Sequence, residues 1–111
     1  MTSAINMPEF LQGGWRECQF EYFRDGVEIC RLVHGEPEVA LLRYQPGAEV
    51  PAHLHGGMET ILVLEGSQSD ENGLYAQGTL VTNPEGTVHS VQSQEGCVVL
   101  IQWTKPVRIL E

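Results

Sequence analysis

Valine, isoleucine, leucine and aromatic residues recur along this chain in short runs, each closed within a few residues by turn-forming types. WRECQFEYF, VEICRLV, VALLRYQ, TILVLEG, LYAQ, TLVTN, HSVQS, CVVLIQW and VRIL carry the composition of strands. Between them lie Asp25-Gly26, Gly35 to Pro37, Pro46-Gly47, Glu71-Asn72-Gly73, Pro84-Glu85-Gly86 and Glu95-Gly96. This rhythm predicts an all-β barrel or sandwich. Asn72-Gly73 is the strongest hairpin signal, because both central positions of a type I′ turn need positive φ. Alternation then assigns faces: His89 shares one with Val91 and Ser93. GCVVLIQW is apolar on both faces, which predicts burial on two sides, by the chain itself or by a partner subunit.

At 111 residues the chain is expected to form one domain over residues 1–111, with a single core and no repeat or linker. A hydrophobic fraction of 41% is that of an ordinary soluble globular protein. Six basic against fifteen acidic residues give a net charge of -9, a field that repels phosphate backbones and anionic membranes. Nucleic acid and membrane are therefore excluded as partners at this level. The opening MTSAINMPEFLQGG has neither the basic nor the apolar stretch of a signal peptide, so a cytoplasmic location is expected. Cys18, Cys30 and Cys97 are widely spaced with no C-x-x-C pair, and read as three reduced thiols, Cys97 within a core strand.

The chemistry gathers in GAEVPAHLHGGMETILVLEG, Gly47 to Gly66. Alternate residues of an extended chain share a face, so His53 and His55 direct two imidazoles toward one point while Leu54 faces away. Glu59 adds a carboxylate after Gly56 and Gly57, where a backbone without Cβ atoms can bend. GTLVTNPEGTVHS supplies His89 after a turn. His34 has no partner at ligand spacing and reads as a surface residue. Met58 reads as packing, because a thioether is a softer donor than its neighbours.

Written as spacings, the two blocks are G-x5-H-x-H-x3-E-x6-G and G-x5-P-x-G-x2-H-x3-S. They resemble the signature blocks of the cupin superfamily over roughly residues 38–103, with Ser93 where the general pattern often has Asn. HLHGGMETILVLEG, DENGLYAQGTLVTNPEGTVHS and SQEGC are most similar to the cupin domain of the ChrR anti-sigma factors and its stand-alone relatives. The resemblance implies a single-domain, RmlC-like double-stranded β-barrel or jelly roll. It also implies a divalent metal ion held by His53, His55, Glu59 and His89. Residues 14–37, with Trp15, Phe20, Tyr22 and Phe23, are expected as strands that cover the barrel or a homodimer interface.

Three neutral imidazoles and one carboxylate leave a divalent ion with a net charge of +1, a donor set open to Zn, Fe, Mn, Ni or Cu. Two functional classes follow. One is a metal-dependent enzyme acting on a small molecule by dioxygenase-like or enolate chemistry, as in β-dicarbonyl-cleaving relatives, with Glu49, Tyr44 and Gln102 as pocket candidates. The other is a noncatalytic metal- or ligand-binding domain of stress sensing. The chain has no H-x3-C-x2-C motif of the ChrR sigma-binding module, so direct sigma-factor sequestration is not expected. Arg43 is the cation expected nearest the site, too little to clamp a phosphoryl group.

Overall fold

In the computed structural model, which describes residues 4–110, two 3-10 helices, Phe10–Gln12 and Gly14–Glu17, precede ten strands. These are β1 (Glu21–Arg24), β2 (Val27–Val33), β3 (Glu38–Tyr44), β4 (Ala48–His55), β5 (Glu59–Asp70), β6 (Gly73–Ala76), β7 (Leu80–Asn83), β8 (Val88–Ser93), β9 (Cys97–Trp103) and β10 (Val107–Ile109). They pair antiparallel in the order β1-β2-β3-β9-β5-β8-β4-β10, with β6 and β7 attached to β5. Among the described residues no helix is long and apolar enough to cross a membrane.

The sheet curls into a barrel because β5 serves both of its walls. Glu59 to Gly66 pair with β9, whereas Ser67 to Asp70 pair with β6 and Ser69 also meets β8. The bend falls at Gly66, whose φ is 74° and where an added Cβ would meet the Gly96 carbonyl oxygen at 2.1 Å. Only glycine fits there. The sequence predicts a strand ending at that glycine; the chain instead turns and continues, and so carries Asp70 toward the site.

Two apolar clusters lie on opposite faces of the same strands. Inside the barrel, Ile29, Leu42, Ile61, Val63, Val99 and Ile101 pack together. Outside, Leu41, Leu64 and Val98 are covered by Trp15 and flanked by Phe10 and Phe20. Full burial of each such side chain stabilises by about 1.5–3 kcal/mol. β9 is thus buried on both faces by its own chain, Val98 outward and Val99 inward.

Three local expectations change. WRECQFEYF is not one strand: Trp15 sits in a 3-10 helix and pairing begins at Glu21, since the glycines ahead of Trp15 let the chain coil before it meets the sheet. AEVPAHLH, extended in the sequence reading only through its histidines, is the full strand β4. The β5–β6 hairpin turns on Glu71 and Asn72, with Asp70 opposite Gly73, and neither turn residue has positive φ. The Asp70 carboxylate accepts the Asn72 backbone N–H at 2.8 Å and closes the turn in place of type I′ geometry.

Candidate metal centre

His53, His55, Glu59 and His89 converge inside the barrel, with one donor atom from each within 4.8 Å of all the others. All four are buried. β4 and β8 face each other with His53 opposite His89, and His55 follows two residues along on the same face. A bulge between Val50 and His53 sets that face. Without the extra residue, the inward Val50 would put His53 outward; the bulge contains Pro51, which has no N–H to lose from a ladder. The Pro51 carbonyl also accepts the His53 Nδ1 proton at 2.9 Å.

Each histidine is held from behind in the same way. His55 Nδ1 donates to the Thr87 carbonyl at 3.0 Å, and His89 Nδ1 donates to Asp70 Oδ2 at 2.9 Å. Because a carbonyl can only accept, the proton of His53 and of His55 resides on Nδ1, and each Nε2 is left with a lone pair. Glu59 is fixed by its cross-strand neighbours on both sides, Asn83 and Trp103. Asn83 Nδ2 donates to Oε1 at 2.9 Å and Trp103 Nε1 donates to Oε2 at 2.6 Å.

These hydrogen bonds test whether the residues suit a cation. His55 Nε2 lies 3.1 Å and His89 Nε2 3.7 Å from Glu59 Oε1, a convergence of acceptors in a buried space. Among the described residues, His89 Nε2 is the buried side-chain polar atom without a hydrogen-bond partner. A buried acceptor without a donor is costly, and a cation at the common focus satisfies all of them. The donor set fits a divalent ion of the Zn, Fe, Mn, Ni or Cu class.

The electrostatics agree with that arrangement. Burial lowers the His53 pKa, and the neighbouring His89 and His55 add to it against the pull of the Pro51 hydrogen bond and Glu59. For His55, burial works in the same direction, but the Glu59 hydrogen bond and charge outweigh it and raise the pKa. Burial would raise Glu59; hydrogen bonds from His55 and Trp103, with the two histidine charges, hold it below the ordinary carboxylate value. Asp70 is likewise lowered, because bonds from His89, the Asn72 amide and Tyr75 outweigh its burial.

A cavity of about 220 Å³ opens beside the cluster, lined by His53, Glu59 and His89 and by apolar side chains of the inner core. Tyr44 and Gln68 add polar groups to its wall. Burial pushes the Tyr44 phenol well up, and the Cys97 and Glu59 charges push it further, so it remains protonated. Of the pocket candidates, Tyr44 is correctly placed, whereas Glu49 and Gln102 are exposed and face away. Arg43 also points elsewhere, pairing with Glu28 at 2.9 Å and lying over the Phe20 ring. Arg24 lines the cavity instead. Met58 is exposed and not packed, since Gly57 and Thr104 meet closely and leave its side chain outside. His34 is exposed and rests against Glu38 at 3.0 Å.

Gly56 and Gly57 have a role different from the bend expected of them. An added Cβ at Gly57 would meet Thr104 Oγ1 at 2.3 Å, and one at Gly56 the Pro106 carbonyl oxygen at 2.6 Å. They are needed for close approach of the β9–β10 connection. Asp70, Asn83, Thr87 and Trp103 are functional supports that sequence reasoning missed. Trp103 could have been found by parity along β9, while Asp70 lies beyond the glycine that seemed to end its strand.

The comparisons with known proteins fit this architecture. The family model of the ChrR cupin-like domain matches residues 14–107. The anti-sigma-E factor ChrR of Cereibacter sphaeroides is 31% identical over 86 residues, covering 75% of this chain and 40% of the relative. The chain thus spans well under half the length of that curated relative. The crystal structure of Rhodobacter sphaeroides SigE in complex with ChrR superposes with a TM-score of 0.72 at 26% identity, over 79% of this chain and 49% of that one. An acetylacetone dioxygenase from Acinetobacter johnsonii shares the fold, with a TM-score of 0.80 at 10% identity over 100% of this chain and 79% of the other. With its family match, its barrel and its buried three-histidine, one-glutamate cluster, the chain belongs to the cupins of the ChrR cupin-like domain family.

Proposed function

We propose that this protein is a metal-dependent enzyme acting on a small molecule by dioxygenase-like or enolate chemistry. The observation that carries the reading is the cavity of about 220 Å³ against His53, Glu59 and His89, room for a compact ligand beside the ion. The oxygenase class is suggested by the acetylacetone dioxygenase that shares the fold. A bound divalent ion would supply Lewis acidity and, if redox-active, reactivity toward dioxygen. The chain's own residues do the rest. His53, His55, Glu59 and His89 hold the ion, and Asp70 and Trp103 keep two of those ligands in orientation. The apolar inner core limits water, and Tyr44 stays protonated as a hydrogen-bond donor to a ligand oxygen.

Oxygen consumption should be measured on β-dicarbonyls, catechols and thiols with the Fe, Mn, Ni, Cu and Zn forms. Turnover by one metal form, lost in His55→Ala, is expected. A second reading, a noncatalytic sensing domain, is supported by the 31% identity to an anti-sigma factor. It takes the lead if every metal form is inert while a ligand still binds, and metal-dependent phosphatase activity defeats both. We further propose a cytoplasmic homodimer, supported by the exposed Tyr22 on edge strand β1. Sedimentation at micromolar concentration should give about twice the 12.3 kDa chain mass, and a monomer there removes the proposal.

A further inference from the structure

Arg24 is the one Lys or Arg side chain among the residues that line the cavity beside the candidate ligands. In β1 the register shifts between Tyr22 and Arg24, so that Tyr22 lies opposite Glu28 and Arg24 opposite Val27. Regular alternation would put Phe23 and Arg24 on opposite faces. The bulge brings both into the cavity wall, a way of re-aiming a side chain toward a site. Arg24 is half-buried and also borders the outer groove formed with Gly26, Gln45 and Gly47, which places it at the rim between cavity and solvent. From there it acts on the Tyr44 phenol inside.

Its lack of a partner is informative. Arg16, Arg31, Arg43 and Lys105 each pair with a carboxylate, whereas among the described residues Arg24 has no ion pair or side-chain hydrogen bond. In a chain with 15 acidic residues and a net charge of -9, an unpaired guanidinium at the cavity rim is a selective feature. A guanidinium presents a fork of donors that matches a carboxylate with two parallel hydrogen bonds. We propose that the ligand of this cavity is a small carboxylate bearing a second oxygen function, its carboxylate held by Arg24 and its other oxygen directed toward the histidine cluster. The proposal rests on the metal-site reading above and narrows it from neutral dicarbonyls to oxo- or hydroxy-acids.

Acetoacetate and acetylacetone are nearly the same shape and differ in the charge at one end. Calorimetric titration of the zinc-loaded full chain with each should give binding of acetoacetate at least about tenfold tighter, the scale of one hydrogen bond to a charged group. Arg24→Gln should weaken acetoacetate by about tenfold to a hundredfold and leave acetylacetone within about twofold, with an unchanged melting temperature. Arg108→Gln, an exposed cation outside the cavity, controls for the general field and should change neither. The proposal is overturned if acetylacetone binds as well as acetoacetate, if neither binds, if Arg24→Gln weakens both equally or neither, or if Arg108→Gln reproduces its effect. His55→Ala separates the two ideas. Loss of both probes in that variant supports the metal-site reading, and unchanged binding of both defeats that reading while the Arg24 comparison keeps its meaning.

Discussion

On the outer face of β3 and β9, Leu41 and Val98 pack beneath Trp15; on the inner face of the same strands, Leu42, Val99 and Trp103 pack beside three histidines and a glutamate. The outer cluster consists of apolar groups and thiols, and its burial does little except stabilise the fold. The inner one uses the same strands to desolvate and aim polar atoms. Trp103 illustrates the difference, since its ring belongs to the core while its Nε1–H donates to Glu59. One sheet can thus separate stability from chemistry by parity alone. Substitutions on the two faces should separate in the same way.

The largest stability effect is expected on the outer face. Trp15→Ala should cost about 3–5 kcal/mol in chemical denaturation, the range for truncating a buried tryptophan, while metal stoichiometry stays the same. If the variant keeps its stability, Trp15 does not close the outer cluster; if it folds but loses the metal, the two faces are not independent. On the inner face, His55→Ala should remove most of the metal. Chelation of the wild type should lower stability by about 2.7 kcal/mol relative to protein with metal at a hundredfold excess over Kd. Full metal occupancy in the variant, or a melt unmoved by verified chelation, would count against the site.

A smaller effect sharpens the comparison from within the inner face. Asp70→Asn keeps the shape but removes the charge behind His89 Nδ1, and metal affinity should fall by about tenfold to a hundredfold in chelator competition. An affinity equal to wild type would mean that Asp70 closes the hairpin and nothing more. The smallest effect belongs to the surface. Arg16 and Glu65 pair at 2.8 Å with both side chains more than half exposed, so Arg16→Ala should change stability by less than about 1 kcal/mol. A larger loss would show that Arg16 acts through its contact with the Trp15 ring, 4.3 Å from its centroid, and belongs to the outer cluster.

The sequence by itself determined the barrel and the ligands. Short β-rich runs between turn residues give the all-β class, and the offsets joining His53, His55, Glu59 and His89 bring the four together because strand parity is a local property. It also determined that His89, Val91 and Ser93 share a buried face, as they do. What the tertiary structure decided lies where parity is broken or where partners are distant in sequence. The bulges at Pro51 and Phe23 each reset which residues face inward, and no composition signal fixes the position of an extra residue in a ladder. Asp70 reaches His89 across 19 residues and Trp103 reaches Glu59 across 44, so both contacts exist only once β5 has bent at Gly66 and met its neighbours. Arg43 and Arg24 show the same division: a strand pattern reveals that a cation is near, but the register of the closed sheet chooses which one faces the cavity.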